Sequence, residues 1–199
     1  LVNDPGGVVA VNANGVTLAS GAQHDVDVLI FATGFDSNHI PFPVTGRDGK
    51  SMAEEFGANA ANNFQMTRPK SLWGMHIAGM PNFYMMIGPQ SLNPVTNVTL
   101  LCEEQAKYIA NLVASMRDAG HLEVEPTPAA IQDWTERCKN SADGKVWLRC
   151  NNWYMKATKT DEKAGRERSQ GMWMESYEEY LKHLLGAEGG GTEALLNFS

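Results

Sequence analysis

The sequence predicts an α/β fold with strands near the N-terminus and helices toward the C-terminus. Three apolar runs, at residues 8–11, 15–18 and 26–31, are separated by turn-forming Asn and Gly residues. After residue 95 the apolar positions recur at helical spacing instead. Because an α/β domain rarely opens on strands that lack a helix, we expect the chain to be a C-terminal fragment of a larger protein.

The third apolar run, at residues 26–31, predicts a buried parallel strand that ends in the small-residue turn Ala32-Thr33-Gly34. Small residues at the carboxyl end of such a strand let the backbone approach a ligand closely, and open α/β sheets bind cofactors at this edge. A strand with an ordinary glycine-containing exit turn is the simpler interpretation.

The middle of the chain predicts loops followed by one more strand. Residues 37–70 are rich in Asn, Gly, Pro and Ala, which indicates loops with little regular structure. The apolar run at residues 82–87 lies between Pro81 and Gly88, and it predicts a short buried parallel strand. Gly88 to Ser91 then lead toward a helix start, where backbone N–H groups favour an electron-rich partner.

The longest predicted helix covers residues 97–118. Thr96 or Asn97 is expected as its N-cap, and Gly120 lies just past its end. Five positions at helical spacing predict its apolar face: Leu101, Ile109, Leu112, Val113 and Met116.

Two shorter helices are predicted at residues 129–139 and 174–185. Thr127 and Pro128 supply an N-cap and a first-turn proline for the former, and Gly186 ends the latter. The expected apolar face of the former comprises Ile131, Trp134 and Cys138. Four tryptophans are expected in the core: Trp73, Trp134, Trp147 and Trp173.

Composition and charge argue against several classes of function. The 199 residues carry 16 Lys and Arg against 23 Asp and Glu, a net charge of −7, which argues against nucleic-acid binding. The apolar runs are far shorter than the roughly 20 residues that span a bilayer. Three cysteines, an odd number, favour a reducing compartment, so we expect a cytoplasmic location. The five scattered histidines form no metal-ligand pattern.

Four landmarks occur together in one order. They are Ala32 to Asp36 (ATGFD), Gly79 to Tyr84 running into Gly88 to Ser91, Thr96-Asn97, and Asn152 to Met155. In this order and at near-family spacing they resemble the C-terminal third of Baeyer–Villiger monooxygenases. The resemblance implies a fragment of a flavoprotein with two dinucleotide-binding domains.

The resemblance also implies residues that bind the cofactors FAD and NADP(H). Thr33 and Gly34 would lie at the hinge between the two domains, near the cofactors. The stretch that passes the flavin ring would include Gly88, Pro89, Gln90, Thr96, Asn97 and Val98. Substrate would lie near Asn93, Pro94 and Val95, and Trp153 would reach NADP from a mobile loop near residues 150–170.

The implied activity is insertion of one oxygen atom from O2 beside a ketone carbonyl, which gives an ester or lactone. The resemblance implies no catalytic side chain in this stretch. The family's two GxGxxG fingerprints lie upstream, so we expect this chain to be inactive without the missing N-terminal part of the enzyme. Residues 1–34 would end the NADP-binding domain, residues 35–185 would belong to the FAD-binding domain, and residues 186–199 would form a tail.

Two alternatives stay open. One is a flavin monooxygenase that oxygenates nitrogen or sulfur and shares the ATG turn. The other is a non-catalytic subunit that docks to a separately encoded flavoprotein half. Residues 81–89, Trp153 and the long helix favour the Baeyer–Villiger interpretation.

Overall fold

The computed structural model describes residues 2–32, 42–58, 66, 69–91, 96–145, 172–186 and 195–199. The chain divides into two compact units, Leu1–Ser37 and Asn38–Ser199. Three strands lie early in the chain, and the longer helices follow in the second unit. The predicted α/β class, with strands near the N-terminus and the longer helices toward the C-terminus, is therefore confirmed.

The first unit holds a small antiparallel sheet. Its strands, in the spatial order of the sheet, are β1 (Val8–Val11), β2 (Gly15–Leu18) and β3 (Gln23–Asp25). The Asn12 side chain closes the β1–β2 turn, because its Oδ1 accepts hydrogen bonds of 2.9 Å from the N–H groups of Asn14 and Gly15. The first two strands have the predicted bounds.

The predicted parallel strand at residues 26–31 is wrong. The third strand instead lies at β3, where Gly15, the first residue of β2, pairs with Asp25. Residues 26–31 therefore have no strand of this sheet opposite them. Val28 and Ile30 are 73% and 81% exposed. A buried parallel strand needs neighbours on both sides, and the described part of this unit supplies none.

The second unit begins with short elements. A 3-10 turn (Arg47–Gly49) precedes the one-turn helix α1 (Met52–Glu55), and an isolated bridge joins Thr45 to Ser51. This agrees with the loops predicted for the described part of residues 37–70. A small apolar cluster packs here and contains Met52, Phe56, Ile77 and Met80.

The second predicted parallel strand, at residues 82–87, is also wrong. Tyr84 makes one antiparallel bridge with His76, and the Met85 N–H donates to the Met75 carbonyl (3.0 Å). Asn82 (φ 58°) and Ile87 (φ 54°) have left-handed backbone conformations. Such conformations at both ends interrupt an extended strand, so the segment packs as a bent loop.

Helix α2 (Val98–Ala119) confirms the longest predicted helix. Asn97 is its N-cap, because the Asn97 side chain accepts from the Thr99 N–H, and Gly120 ends it with φ 76°. The buried face differs from the predicted one and comprises Leu101, Gln105, Tyr108, Leu112 and Met116. Val113 is 51% exposed, whereas Gln105 and Tyr108 lie on the buried stripe and have hydrogen-bond partners in the core.

Helix α3 (Pro128–Ser141) confirms the next predicted helix. The Thr127 hydroxyl accepts from the Ala130 N–H (3.1 Å), and Pro128 lies in the first turn. The predicted face of Ile131, Trp134 and Cys138 is buried.

Helix α4 (Tyr177–Leu184) begins three residues later than predicted. Ser176 is its N-cap, and the N–H of Met174 donates instead to the Ser141 hydroxyl (2.9 Å). That bond ties Met174 to the end of α3 and keeps it outside the helix. Gly186 follows with φ 69°.

The main core lies between the three long helices and a two-stranded antiparallel ribbon of β4 (Val124–Pro126) and β5 (Leu196–Phe198). Trp134 and Trp173 stack with ring centroids 4.9 Å apart. Trp73, Trp134 and Trp173 are at most 5% exposed, as predicted for core tryptophans. Trp147 and the glycines at residues 189–191 lie outside the described residues.

Candidate functional site

The predicted site residues fall into two groups. Six of them lie outside the described residues: Thr33, Gly34, Asn93, Pro94, Val95 and Trp153. The other six form two segments, one on each side of residues 92–95. These segments are the turn at residues 88–91, which we call the glycine turn, and the start of α2 at residues 96–98.

The glycine turn packs tightly against a second loop. The Gly88 N–H donates to the Gly74 carbonyl (3.1 Å), and the Ser91 hydroxyl donates to the Gly88 carbonyl (2.7 Å). A Cβ at Gly88 would lie 2.3 Å from Met85 Cε and 2.4 Å from the Gly74 carbonyl oxygen. Only glycine fits there, which accounts for this residue through packing within the protein.

Gln90 has its side chain in the interior. It is fully buried with φ 71°, and its Oε1 accepts from the Ser71 N–H (2.9 Å). Its Nε2 donates to the Thr135 hydroxyl (3.2 Å), and its backbone carbonyl accepts from Trp134 Nε1 (3.1 Å). These bonds occupy the side-chain amide, so the structure gives it a supporting role. Contact between Gln90 and a cofactor stays a prediction.

Pro89 is held by Ser71, the residue that also bonds the Gln90 side chain. The Ser71 hydroxyl donates to the Pro89 carbonyl (2.5 Å), and Ser71 is fully buried. The glycine turn is therefore held through its backbone at two successive residues, Pro89 and Gln90. A backbone fixed in this way presents its remaining groups in one orientation.

Gln105 of α2 forms the centre of a buried hydrogen-bond network. Its Oε1 accepts from the Ile87 N–H (2.9 Å), and its Nε2 lies 2.9 Å from the Tyr180 hydroxyl and 3.3 Å from the Trp73 carbonyl. The Tyr180 hydroxyl donates in turn to that carbonyl (2.7 Å). Burial raises the pKa of Tyr180, so the phenol stays neutral.

Sequence reasoning missed this network. Gln105 lies four residues after Leu101 and seven before Leu112, on the buried stripe of α2. A glutamine at such a position is a readable signal, because a buried amide needs hydrogen-bond partners. The sequence does not show which residues supply them, since Tyr180 is 75 residues away along the chain.

The start of α2 offers exposed backbone and apolar surface. Asn97 Oδ1 accepts from the Thr99 N–H (3.0 Å) and the Thr99 hydroxyl (2.6 Å). The N–H groups of Val98 and Leu100 make no hydrogen bond to any residue that the structure describes. The Val98 and Leu100 side chains are 45% and 40% exposed. Free donors at a helix N-terminus attract an electron-rich group.

His76 is a buried titratable residue next to this framework. Its Nε2 lies 2.9 Å from the Tyr108 hydroxyl, and the rings of Trp73, Tyr84 and Tyr108 surround it edge-on. Burial lowers the pKa of His76 to about 4. The imidazole is therefore neutral near pH 7 and packs as an aromatic residue with one polar contact.

A cavity of about 310 Å³ lies elsewhere in the second unit, between residues 44–47 and residues 80–83. Its lining includes none of the predicted site residues. Within the described part of the chain, no three His, Cys, Asp or Glu side chains group as metal ligands. The described helices include none that is long and apolar enough to cross a membrane.

The chain is similar in sequence to named monooxygenases, although no protein-family model matches it. It is 33% identical to a Baeyer–Villiger monooxygenase of Pseudooceanicola batsensis over 143 residues, which cover 70% of this chain and 24% of that protein. It is 28% identical to cyclohexanone 1,2-monooxygenase of Acinetobacter sp over 73% of this chain and 25% of that protein. The chain thus spans about a quarter of the length of these relatives.

The fold is also similar to solved structures of monooxygenases of this type. The closed crystal structure of cyclohexanone monooxygenase matches 96% of this chain and 34% of its own, with a TM-score of 0.74 at 27% identity. The enzyme from Rhodococcus sp. Phi1 bound to NADP+ matches 96% of this chain, with a TM-score of 0.73 at 27% identity. The resemblance drawn from the sequence is confirmed, since both comparisons relate this chain to part of Baeyer–Villiger-type enzymes.

Proposed function

We propose that this chain, a relative of Baeyer–Villiger monooxygenases, is part of an FAD- and NADPH-dependent monooxygenase. The enzyme would insert one oxygen atom from O2 beside a ketone carbonyl and give an ester or lactone. The observation that carries the proposal is the structural match to cyclohexanone monooxygenase over 96% of the chain, at a TM-score of 0.74. The sequence match to the acetone monooxygenase of Gordonia sp. (strain TY-5) adds a second ketone-oxidising relative.

The start of α2 fits a flavin ring. When bound, FAD supplies the redox and oxygen chemistry of the reaction. Thr96, Asn97 and Val98 would contact it, because the Val98 N–H is available as a donor and the Val98 side chain offers exposed apolar surface. A flavin ring combines carbonyl oxygens with a flat apolar face, so it matches both features. The helix dipole favours electron density at this position.

The glycine turn would orient the flavin ring and would take no part in the reaction itself. Gly88, Pro89 and Gln90 are held by hydrogen bonds to Gly74 and Ser71, so their backbone can form a fixed wall beside the flavin. A fixed wall orients the ring without moving during turnover. None of these residues needs to transfer a proton in this proposal.

The remaining site residues are proposed from the family resemblance. Thr33 and Gly34 would lie near the cofactors at the domain junction, and Trp153 would contact NADP(H) from a mobile loop. Asn93, Pro94 and Val95 would face the ketone. The NADP-binding domain would end at residue 34 and the FAD-binding part would cover residues 35–185, followed by a tail. The unit boundary between Ser37 and Asn38 supports the first of these limits.

The other part of the enzyme is the main proposed partner. The chain covers 24% of the Pseudooceanicola batsensis relative, so most of a complete enzyme would lie in the remaining sequence. The exposed Val28 (73%), Ile30 (81%) and Phe31 (76%) support this, because a run of exposed apolar side chains marks an interaction surface. This chain alone would therefore be inactive. Cys102 and Cys138 are free thiols, which supports a cytoplasmic location.

The test is an assay of the complete enzyme with NADPH, 18O2 and a panel of ketones, read by mass spectrometry of the products. We expect one 18O atom per ester or lactone formed and no product from the 199-residue chain alone. Labelled N-oxides or sulfoxides from amine or sulfide substrates, with no ester from any ketone, would overturn the proposed reaction.

A matched pair of variants tests the proposed flavin surface. Val98→Glu and Val113→Glu each place a carboxylate at a half-exposed valine of α2, at 45% and 51% exposure. We expect Val98→Glu to weaken FAD binding at least tenfold and Val113→Glu to leave it within twofold, measured by titration of flavin fluorescence. Equal FAD affinity in the two variants would remove Val98 from the flavin site.

A further inference from the structure

We propose that Gln105 is a positioning residue that fixes the backbone of residues 87–91 for flavin binding. The inference rests on the proposed function, because it takes the glycine turn as a surface that faces the flavin. Gln105 would act through Ile87 and would not contact the cofactor itself. Its role follows from three observations: a strained neighbour, a buried amide whose groups are paired, and its place on α2.

The strained neighbour is Ile87, the residue directly before Gly88. It has φ 54°, a left-handed conformation that is unfavourable for a β-branched side chain. Such a residue persists only where its surroundings hold it. The hydrogen bond from the Ile87 N–H to Gln105 Oε1 (2.9 Å) stabilises this left-handed conformation. The acceptor belongs to α2 and not to a neighbouring residue of the loop.

The amide of Gln105 is paired at both ends. Its Oε1 takes the Ile87 N–H, and its Nε2 faces the Trp73 carbonyl and the Tyr180 hydroxyl, while the residue is 0% exposed. A leucine would serve the packing of α2 equally well, because the stripe around it is apolar. A polar group at this depth lowers stability unless it is hydrogen-bonded. Its presence is accounted for by the loop that it holds.

The place of Gln105 on α2 links the two segments of the candidate site. It lies eight residues after the N-cap Asn97, or roughly 12 Å along one continuous helix. One side chain therefore sets the position of Ile87 relative to the start of α2. A shift of either segment would separate the glycine turn from the Val98 N–H, and the proposed flavin surface needs both.

The first test measures the loop without any cofactor. Amide hydrogen exchange of residues 87–91 is compared in the 199-residue chain, Gln105→Met and Tyr108→Phe. Methionine keeps the approximate volume and removes the amide. Tyr108→Phe is the control, because it loses a buried hydrogen bond on the same face of α2, to His76, that does not involve the turn.

We expect exchange in residues 87–91 to rise at least tenfold in Gln105→Met and to stay within twofold in Tyr108→Phe. Gln105→Glu keeps an oxygen acceptor for the Ile87 N–H but loses the donor to the Trp73 carbonyl, so it should restore only part of the protection. Equal exchange in Gln105→Met and Tyr108→Phe would overturn the proposal, since Gln105 would then act only through general stability.

The second test separates this inference from the proposed function. FAD is titrated into the flavin-free complete enzyme and its variants, and both the Kd and the visible spectrum of bound FAD are recorded. We expect Gln105→Met to raise the Kd at least tenfold and to shift the visible band, with Tyr108→Phe within twofold of wild type. If wild type and Gln105→Met bind FAD equally, the role of Gln105 fails while the proposed function stands. If wild type binds no FAD, the proposed function fails and the flavin role of Gln105 fails with it.

Discussion

The N-terminal sheet and the helical core place their side chains in opposite ways. In the sheet the valines of β1 are exposed, with Val9 at 62%, and Ile30 beyond β3 is 81% exposed. In the core, by contrast, the polar residues His76, Gln90 and Gln105 are at most 1% exposed. Burial in this protein therefore depends on the partners that a residue finds and not on its polarity alone. Each of these buried polar groups has a hydrogen bond, whereas the valines of β1 stay exposed although Val16 and Leu18 of the neighbouring strand β2 are buried.

The largest expected difference in stability between the two units concerns glycine substitutions. A Cβ at Gly74 would lie 2.0 Å from Ser91 Cβ, whereas nothing lies within 4 Å of a Cβ at Gly21, and both residues have positive φ. Gly74→Ala should cost about 4 kcal/mol from overlap plus backbone strain, and Gly21→Ala about 1 kcal/mol from strain alone. Amide hydrogen exchange at increasing urea reports each unit separately. Equal losses of stability for Gly74→Ala and Gly21→Ala would contradict this difference in packing around the two glycines.

A second contrast concerns aliphatic burial. Leu101 is 2% exposed in the core, and Ile30 is 81% exposed after the sheet. Leu101→Ala should lower the free energy of unfolding of its unit by about 3 kcal/mol, because it leaves a cavity. Ile30→Ala should change its unit by less than about 0.5 kcal/mol. The same exchange experiment measures both values, and a larger loss for Ile30→Ala would show that this side chain is covered in solution.

The stability of the helical core should depend on pH through the buried His76. Burial lowers the pKa of His76 to about 4, so the folded core keeps this imidazole neutral. Between pH 6.5 and about 4 the unfolded chain binds the proton and the folded chain does not, so stability falls as the pH falls through that window. The loss should reach about 2 kcal/mol at pH 4.5 and vanish above pH 6.5.

The measurement is urea unfolding at pH 7 and pH 4.5, followed by tryptophan fluorescence, which reports the second unit because its tryptophans begin at Trp73. His76→Phe removes the proton site and suits the surrounding rings of Tyr84 and Tyr108. The difference between the two pH values should be smaller in His76→Phe by about 2 kcal/mol. An unchanged difference would assign the acid sensitivity to other groups.

The smallest expected difference between the two units comes from two asparagines with similar local roles. Asn97 caps α2, and Asn12 closes the β1–β2 turn. Asn97→Ala should cost about 1 kcal/mol, and Asn12→Ala about 0.5 to 1 kcal/mol. Each loss should stay within its own unit, as measured by amide exchange. A loss that appeared in both units at once would show that they unfold together.

Local signals predicted the parts of the fold that depend on nearby residues. The caps at Asn97 and Thr127 and the end at Gly120 gave α2 and α3 nearly as observed, because each uses side-chain or backbone groups within a few residues. Ser176 was missed as the cap of α4, since the apolar Met174 extended the helical pattern past it. The first turn of α2 was likewise predictable from residues 96–98.

Both strand errors have one physical cause. Residues 26–31 and 82–87 are apolar runs that favour extended backbone, yet a strand forms only where another strand lies beside it. Gly15 begins β2 too late to pair with the first run, and the positive φ values of Asn82 and Ile87 bend the second. An apolar run shows only that a segment tends to be buried, and the described part of the first unit leaves residues 26–31 exposed.

The amino-acid sequence alone was enough to predict the limits of α2 and α3 and the relation to Baeyer–Villiger monooxygenases, because caps, periodicity and short motifs are local properties of the chain. Which polar residues turn inward became clear only from the packed fold. The partners of Gln105 lie 18 and 75 residues away, at Ile87 and Tyr180. A buried hydrogen bond depends on where both ends lie in space, so the support of the glycine turn became visible only once the helices were packed.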